Sequence, residues 1–364
     1  MRAIPAATAA GRRAAYPRRT ARPTLSPDPM APARPSLSSG DLLADRRFEY
    51  ARLYAEAGDH GAAADLFAQA LELAPGWDAC RFALGEALAA AGDTAAAAAA
   101  FARLLERDPQ DRFGARLQLA LLGAAPVPPT APEAYVRALF DDYADRFEAA
   151  LVGDLGYRTP SEIAATIARL RPGARFARVL DLGCGTGLAG AALRPVADHL
   201  EGVDLSADMV ANAAAKGVYD DLRVGEVVAH LRAGTEPIDL IVAADVFVYV
   251  GDLCAIFAAA AERLAPGGLF AFSVERADES EAPEGWRLGA SLRYAHTATH
   301  VEDLAGRNGL ALVTLAPTTL RMDRGEPVAG YVAVAAACGG APFLGADPGA
   351  WTVPTSESGT LESA

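Results

Sequence analysis

The sequence predicts an all-α repeat module followed by an α/β domain with a parallel, doubly wound sheet. Residues 44–111 repeat with a period of 34, and from Glu133 onward helical stretches alternate with short apolar strands. Repeats of this length stack as helical hairpins, whereas strand–helix alternation places parallel strands between two helical layers. The glycine-rich stretch "DLGCGTG", directly after the first strand, predicts a ligand site at one edge of that sheet.

Composition narrows the range of partners. The 364 residues carry a formal net charge of −13, which gives the protein no general electrostatic reason to bind nucleic acid. No apolar run reaches the roughly 18 residues of a membrane span, so no membrane partner is expected. The four cysteines form no C-x-x-C pair, which predicts reduced thiols, a cytoplasmic location and no metal site.

Both ends of the chain are expected to lie outside the folded parts. Residues 1–40 are rich in Arg, Pro, Ala and Ser, with no acidic residue before Asp28, which is typical of a disordered tail. An alternative is that translation starts at Met30. Residues 339–364 are also expected to form a disordered tail.

The repeat module is expected at residues 44–123. Small residues let two helices approach closely, a Gly-Asp pair reverses the chain, and proline ends the second helix. The matching positions, each 34 apart, are Ala51 and Gly85, Tyr54 and Leu88, Gly58-Asp59 and Gly92-Asp93, Ala63 and Ala97, Phe67 and Phe101, and Pro75 and Pro109. This pattern resembles the tetratricopeptide repeat.

Two further segments follow the repeats. Residues 116–123 are expected to form a capping helix, and the proline-rich segment 124–132 is expected to be a linker. Such repeats can present a concave surface to a protein partner, or they can serve dimerisation or stability alone. The sequence leaves both interpretations open.

The α/β domain is expected at residues 133–338. The strands are predicted at 178–182, 199–204, 222–224, 238–244 and 268–274, with helices at about 187–194, 206–216, 227–232, 251–264 and 300–308. The segments 310–320 and 328–337 are predicted to form a final pair of antiparallel strands.

The glycine loop alone does not identify a cofactor, because "GTGLAG" also spells the G-x-G-x-x-G of nicotinamide-binding dehydrogenases. Three features point elsewhere. Asp181 lies inside the first strand, where its carboxylate suits an ammonium group. Asp204 ends the second strand, where it can accept from both hydroxyls of a ribose. The final strand pair and the "APGG" turn at 265–268 complete a seven-stranded pattern.

Together, "VLDLGCGTG", "GVDLSADMV", "IDLIVAADVFVYV" and "LAPGGLFAFSVE" resemble class I S-adenosylmethionine-dependent methyltransferases over about residues 135–338. The resemblance implies a Rossmann-like seven-stranded domain that binds S-adenosyl-L-methionine. With the repeats in front, the chain is similar to bacterial methyltransferases that carry tetratricopeptide repeats.

The resemblance also implies roles for particular residues in cofactor binding. Gly183, Gly185 and Gly187 would cradle the methionine part of the cofactor, and Asp181 would hold its ammonium group. The other implied contacts are Asp204 to the ribose, Leu205 and Met209 near the adenine, Glu226 at the adenine amino group and Asp245 beside the transferred methyl. Glu226 could equally be the first-turn acid of a helix.

Methyl transfer requires alignment of the acceptor, and an oxygen or nitrogen acceptor also needs a base. The candidates are Asp245, Tyr249 after the fourth strand, and His296 in "RYAHTATH". His296 could instead make a structural hydrogen bond, and Thr299 could cap the helix that follows. The segment lacks the N-P-P-Y motif that suits planar amide or base nitrogens.

The segment "LFDDYADRFEAALVGDLGYRTP" is expected to form a helix laid over the cofactor pocket. Tyr143 and Phe147 would share one face of it, either as a lid or as simple packing. Arg158 could pair with the cofactor carboxylate, or it could be exposed.

Three functions are compatible with these observations. The first is an enzyme that methylates a small molecule, with the repeats serving assembly. The second is a protein methyltransferase whose repeats dock the substrate protein. The third is a non-catalytic adaptor that binds the cofactor without turning it over.

Overall fold

The computed structural model describes residues 38–141, 157–323 and 325–338. Within them the chain begins with two antiparallel helical hairpins and a short closing helix. Their helices are α1 (Leu42–Glu56), α2 (His60–Leu73), α3 (Asp78–Ala90), α4 (Thr94–Arg107) and α5 (Ala115–Leu121). The predicted helical repeats and the closing helix are therefore confirmed.

The hairpin turns follow from the Gly-Asp pairs. Gly58 and Gly92 have φ angles of 84° and 86°, in the left-handed region that glycine adopts without steric cost. The Asp59 and Asp93 side chains then cap the second helix of each hairpin by accepting from the backbone N–H three residues on, at 3.1 and 3.0 Å. One turn design thus occurs twice, 34 residues apart.

The second hairpin also depends on a glycine inside a helix. A Cβ atom added to Gly85 would lie 2.6 Å from Cε1 of Phe101. Phe101 is fully buried and packs against Phe82, with 5.5 Å between the ring centroids. The close approach of α3 and α4 therefore needs a residue without a side chain at position 85.

The proline-rich segment after α5 runs along the α/β domain. Residues 128–131, here called the strap, hydrogen-bond to residues 249–252 of that domain. The Ala131 N–H donates to the Tyr249 carbonyl at 2.9 Å, and the Gly251 N–H donates to the Pro129 carbonyl at 2.8 Å. The Tyr294 hydroxyl donates to the Pro128 carbonyl at 2.7 Å. These hydrogen bonds hold the segment that follows the repeat module against the α/β domain.

The sheet of the α/β domain has nine strands in the described residues. In chain order they are β1 (Phe176–Leu182), β2 (Ala197–Asp204), β3 (Asp221–Val224), β4 (Ile238–Ala243), β5 (Leu264–Arg276), β6 (Trp286–Leu288), β7 (Tyr294–His296), β8 (Leu310–Asp323) and β9 (Glu326–Ala337). The strands β3-β2-β1-β4-β5 are parallel, β9 pairs antiparallel with β5, and β8 pairs antiparallel with β9. The predicted Rossmann-like, seven-stranded pattern is therefore confirmed.

Helices cover both faces of this sheet. They are α6 (Glu133–Asp141), α7 (Thr159–Leu170), α8 (Leu188–Leu193), α9 (Ala207–Ala215), α10 (Val227–Ala233), α11 (Cys254–Arg263) and α12 (Ala298–Arg307). Neighbouring residues of β1 point to opposite layers: Leu180 packs in the core with Phe257 of α11, and Val179 packs in the core with Ile163 of α7. Both layers are apolar, as a sheet buried on two faces requires.

The structure differs from the sequence prediction between β5 and α12. Two short strands, β6 and β7, extend the sheet there, and β7 pairs with the end of β5. His296 therefore lies at the end of a strand, before the helix that carries His300. Thr297, not Thr299, caps α12 by accepting from the His300 N–H at 3.2 Å.

Among the described residues, no helix combines the length and the apolar character needed to cross a membrane.

The packing of Phe101 against Gly85 makes a testable prediction. Gly85→Ala should lower the free energy of unfolding by about 1–2 kcal/mol, because overpacking outweighs the gain in helix propensity. Gly61→Ala is the matched control, since a Cβ atom there meets nothing within 4 Å. Its stability should stay the same or rise slightly in urea unfolding. Equal behaviour of the two variants would contradict the close approach.

Candidate active site

A cavity of about 250 Å³ lies at the carboxyl ends of the parallel strands. Its walls come from the loops after β1, β2, β3 and β4, and from the strap and α6. Carboxyl ends of strands at a change in strand order are where α/β sheets bind ligands. The lining includes Gly183, Gly185, Asp204, Leu205, Glu226, Asp245 and Tyr249, all of which the sequence analysis proposed as site residues.

The loop after β1 is shaped by left-handed glycines. Gly183 and Gly185 have φ angles of 62° and 52°. A Cβ atom on Gly183 would lie 2.6 Å from Cγ2 of Val246, so this glycine allows the loops after β1 and β4 to touch. The backbone N–H of Gly185 donates to Oδ2 of Asp204 at 2.8 Å. The loop is therefore tied to both neighbouring strand ends.

Asp204 ends β2 with its carboxylate in the cavity wall. It accepts from the Gly185 and Ser206 N–H groups, the second at 2.9 Å. The side chain is largely buried, and burial raises its pKa although both backbone N–H groups oppose the rise. Such a carboxylate is held in place and can still accept from hydroxyl groups of a ligand.

Gly187 has a different role from the one that the resemblance implies. It does not line the cavity, and a Cβ atom on it would lie 3.0 Å from Cε2 of Tyr219. Cβ atoms on Gly190 and Gly202 would collide with the same ring. The third glycine of the loop thus makes room for a tyrosine side chain. The sequence analysis missed Tyr219.

Tyr219 reaches Asp181, the buried carboxylate inside β1. Its hydroxyl donates to Oδ2 of Asp181 at 2.6 Å, while Oδ1 is buried without a partner in the described part of the chain. Burial raises the pKa of Asp181 to about 7, against the lowering effect of Tyr219. Asp181 is not among the residues that line the cavity, and its second oxygen has capacity for a further donor.

Of Leu205 and Met209, only Leu205 lies in the cavity wall. Leu205 lines the cavity directly after Asp204. Met209 is fully buried in α9 and is not among the lining residues. The implied contact of Met209 with a ligand is therefore not supported, because its side chain serves the core.

Glu226 is the N-cap of α10 rather than an acid within its first turn. It lines the cavity, and it also caps α10 by accepting from the Val228 and Ala229 N–H groups at 2.8 and 2.7 Å. Each carboxylate oxygen therefore already has one donor, and each has capacity for another.

Asp245 lies just beyond β4 with a left-handed backbone, φ 62°, which is unusual for a residue other than glycine. Its N–H donates to Oγ of Ser273 at 2.9 Å. The buried guanidinium of Arg321 donates to both carboxylate oxygens, at 3.0 and 3.3 Å. This carboxylate is thus charge-balanced, unlike those of Asp204 and Glu226.

Tyr249 forms part of the wall opposite the glycine loop. Its ring meets Phe140 edge to face, with 5.5 Å between the centroids. Burial raises the pKa of its hydroxyl, and the neighbouring Arg293 partly offsets that rise. The strap holds the Tyr249 backbone, so this side chain has a fixed position in the cavity.

The position of His296 argues against a role as the base. The side chain is fully buried, it is absent from the cavity lining, and its Nε2 lies 3.1 Å from the Gly251 carbonyl. Burial lowers its pKa to about 4, so the ring is neutral at pH 7. The bond to Gly251 is the structural alternative that the sequence left open. No group of three or more potential metal-binding side chains exists in the described ranges.

The remaining predicted residues lie before α7. Tyr143 and Phe147 lie outside the described residues. Arg158 is exposed and does not line the cavity, so its pairing with a ligand carboxylate is not supported. Its neighbour Tyr157 does line the cavity, as does Phe140, at the two ends of the segment that the sequence predicts to cover the pocket.

The charged side chains described in the cavity wall are all acidic. Among the described lining residues, four are carboxylates, namely Glu133, Asp204, Glu226 and Asp245, and none is Lys or Arg. The other side chains are mostly aliphatic or aromatic. A ligand with a positive charge and an apolar part fits such a wall.

The sequence patterns of known families match both parts of the chain. Residues 155–315 match the methyltransferase domain family, and residues 54–121 match a tetratricopeptide repeat family. Residues 54–121 thus form tetratricopeptide repeats, and residues 155–315 form a methyltransferase domain.

Individual proteins are similar to parts of the chain. Ubiquinone biosynthesis O-methyltransferase of Xylella fastidiosa (strain 9a5c) is 34% identical over 105 residues, which is 28% of this chain and 43% of that protein. The chain therefore spans less than half the length of this curated relative. Magnesium protoporphyrin IX methyltransferase from Synechocystis PCC 6803, with bound SAH, is 17% identical with a TM-score of 0.45, covering 56% of this chain and 99% of that one. An N-methyltransferase from Bradyrhizobium japonicum WM9 is 17% identical with a TM-score of 0.39, covering 49% and 94%.

The raised pKa of Asp181 predicts a pH dependence of stability. A carboxyl whose pKa is higher in the folded state stabilises that state fully below pH 4, and this contribution disappears as pH rises through about 7. Asp181→Asn does not titrate and still accepts from Tyr219. Its free energy of unfolding, minus that of the native protein, should therefore increase between pH 5 and 8 by about 1–4 kcal/mol.

Urea unfolding at several pH values measures this difference. Asp208→Asn, at an exposed position of α9, is the control and should show no such trend. A difference for Asp181→Asn that stays constant with pH would contradict the raised pKa.

Proposed function

We propose that this chain transfers a methyl group from S-adenosylmethionine to a hydroxyl oxygen of a small, uncharged acceptor. The observation that carries the proposal is the cavity at the carboxyl ends of β1, β2 and β4. It combines the carboxylates of Asp204 and Glu226, which accept from backbone N–H groups, with apolar side chains and with Asp245, which is paired with Arg321.

The first two carboxylates fit the cofactor. Asp204 would accept hydrogen bonds from the ribose hydroxyls, and Glu226 would accept one from the adenine amino group. Oδ1 of Asp181 and Oγ1 of Thr186 are buried polar atoms without a hydrogen-bond partner among the described residues. Thr186 lines a small adjoining cavity of about 40 Å³, so it offers a further polar contact. When bound, the cofactor supplies an electrophilic methyl group on a positively charged sulfur, and the acidic wall favours that charge.

The apolar side chains and the paired Asp245 support an uncharged acceptor. Val136, Phe140 and Tyr249 provide apolar surface in the cavity, and Arg321 neutralises Asp245. An anionic acceptor would meet carboxylates without a lining cation among the described residues. The similarity to an O-methyltransferase favours oxygen over nitrogen as the methylated atom.

The chemical task of the protein is mainly alignment and exclusion of water. Tyr249 and Asp245 would contact the acceptor, because both line the cavity from the loop after β4. The Tyr249 hydroxyl stays protonated near pH 7 and would donate a hydrogen bond to the acceptor oxygen. The carboxylate of Asp245 would orient the acceptor hydroxyl by accepting a hydrogen bond from it, and would take up its proton when the oxygen is methylated.

A protein acceptor docked by the repeats is a second candidate. It is favoured by α1, whose outer surface exposes Leu42, Leu43, Tyr50, Leu53 and Tyr54. An apolar surface of this kind on a helical repeat suits contact with another protein.

Cofactor binding is the first test. Asp204→Asn should weaken binding of S-adenosylmethionine and S-adenosylhomocysteine at least tenfold, roughly 1.4 kcal/mol, because the ribose loses a charged acceptor. Asp208→Asn should bind as the native protein does. Calorimetric titration measures both. Absence of binding to the folded native protein would contradict the proposed function.

Acceptor chemistry is the second test. A panel of aromatic alcohols with matched carboxylated and amine-bearing analogues should show methylation of the uncharged hydroxyl compounds, at least tenfold faster than of the carboxylated ones. Mass spectrometry of the products identifies the methylated atom. Preferential methylation of the carboxylated analogues, or of amine nitrogens, would contradict the proposal. Methylation of a protein alone would favour the second candidate.

A further inference from the structure

A buried arginine joins the two strands next to the cavity. Arg321 lies on β8 and is only 2% exposed. Its guanidinium donates to both oxygens of Asp245, at 3.0 and 3.3 Å, and its other terminal nitrogen donates to Glu275 on β5. One side chain thus connects the residue that follows β4 with the carboxyl end of β5.

Asp245 needs such support because its conformation is unfavourable. Its left-handed backbone, φ 62°, has a free-energy cost that a residue with a side chain pays only when its surroundings impose it. The hydrogen bond from its N–H to Ser273 fixes the backbone, and Arg321 fixes the carboxylate. Asp245 also lines the cavity, so these bonds fix one residue of the cavity wall.

Asp245 and Arg321 belong to a larger buried cluster of charged and ionisable side chains. The groups that interact electrostatically with Asp245 and Arg321 are Tyr157 before α7, Tyr249 after β4, Arg293 before β7, and Glu275. The carboxylate of Asp181, on β1, contributes to the raised pKa of Tyr157. Two buried guanidinium groups therefore balance two carboxylates, while neither arginine lines the cavity.

We propose that Arg321 is a positioning residue, which orients the Asp245 carboxylate at the cavity wall and balances its negative charge. This inference rests on the proposed function. A guanidinium is required because only its planar fork can bind two carboxylates at once. Without it, Asp245 and Glu275 would be two like charges in a buried site, which favours the uptake of a proton by the pair.

The experiment compares two ligands that differ only in the methyl group and the charge at sulfur. The ratio of the dissociation constants of S-adenosylhomocysteine and S-adenosylmethionine is measured by calorimetry between pH 6 and 8, on the full chain. Asp181 and Asp204 act on parts that both ligands share, so their titration largely cancels in the ratio. In the native protein the ratio should stay constant.

Arg321→Gln should make the ratio pH-dependent. S-adenosylmethionine should lose at least fivefold in relative affinity at pH 6 compared with pH 8, because Asp245 becomes protonated. In an Asp245→Asn background the same Arg321→Gln change should have no pH-dependent effect. A merely structural role would weaken both ligands equally and give the same effect in both backgrounds.

The outcomes are distinguishable. If neither ligand binds the native protein, the proposed function is wrong. If both bind and the ratio in Arg321→Gln stays constant with pH, only the positioning role is wrong. Should Arg321→Gln fail to fold, Arg321→Lys replaces it, since it keeps the charge but cannot reach both carboxylates. A pH dependence of at least twofold is then expected, and none would overturn the inference.

Discussion

The hydrogen bond between the Gly185 N–H and the Asp204 carboxylate is the interaction on which the cavity depends. It joins the loop after β1 to the end of β2 at 2.8 Å, next to the point between β1 and β4 where the strand order changes direction. The left-handed glycines allow the backbone to turn toward that carboxylate, and Val246 then fills the space above Gly183. Three strand ends thereby meet around one volume, and each contributes polar groups to it.

The carboxylates around this cavity differ in how far their negative charge is compensated, and burial enlarges the effect of that difference. Interactions between charges are stronger in a poorly hydrated site than in water. The carboxylates of Asp204 and Glu226 are held by backbone N–H groups, which orient them without neutralising them. Asp245 is instead paired with a full positive charge on Arg321. The cavity wall thus contains carboxylates whose negative charge is compensated to different extents.

The sequence predicted the fold well because both of its signals are local. The 34-residue period and the strand–helix alternation depend on neighbours in the chain, and so does the placement of Asp204 and Asp245 at strand ends. The missed groups depend on long separations: Tyr219 bonds to a residue 38 positions away, Arg321 to one 76 away, and Thr130 to one 119 away. The same holds for the surroundings of Gly187 and His296, because only the folded chain shows what lies against them. No motif marks such partners in a single sequence.

The strap has a consequence for how the two modules could be recombined. Its residues 128–131 are bonded to the loop that carries Tyr249, and Thr130 and Ala131 themselves line the cavity. The segment between the modules is therefore not a hinge about which the repeats can swing freely. A torque on the helical hairpins would be transmitted to the cavity wall through backbone hydrogen bonds. A chimaera that exchanges the repeats would have to be joined before Pro128. A later junction would replace strap residues that line the cavity.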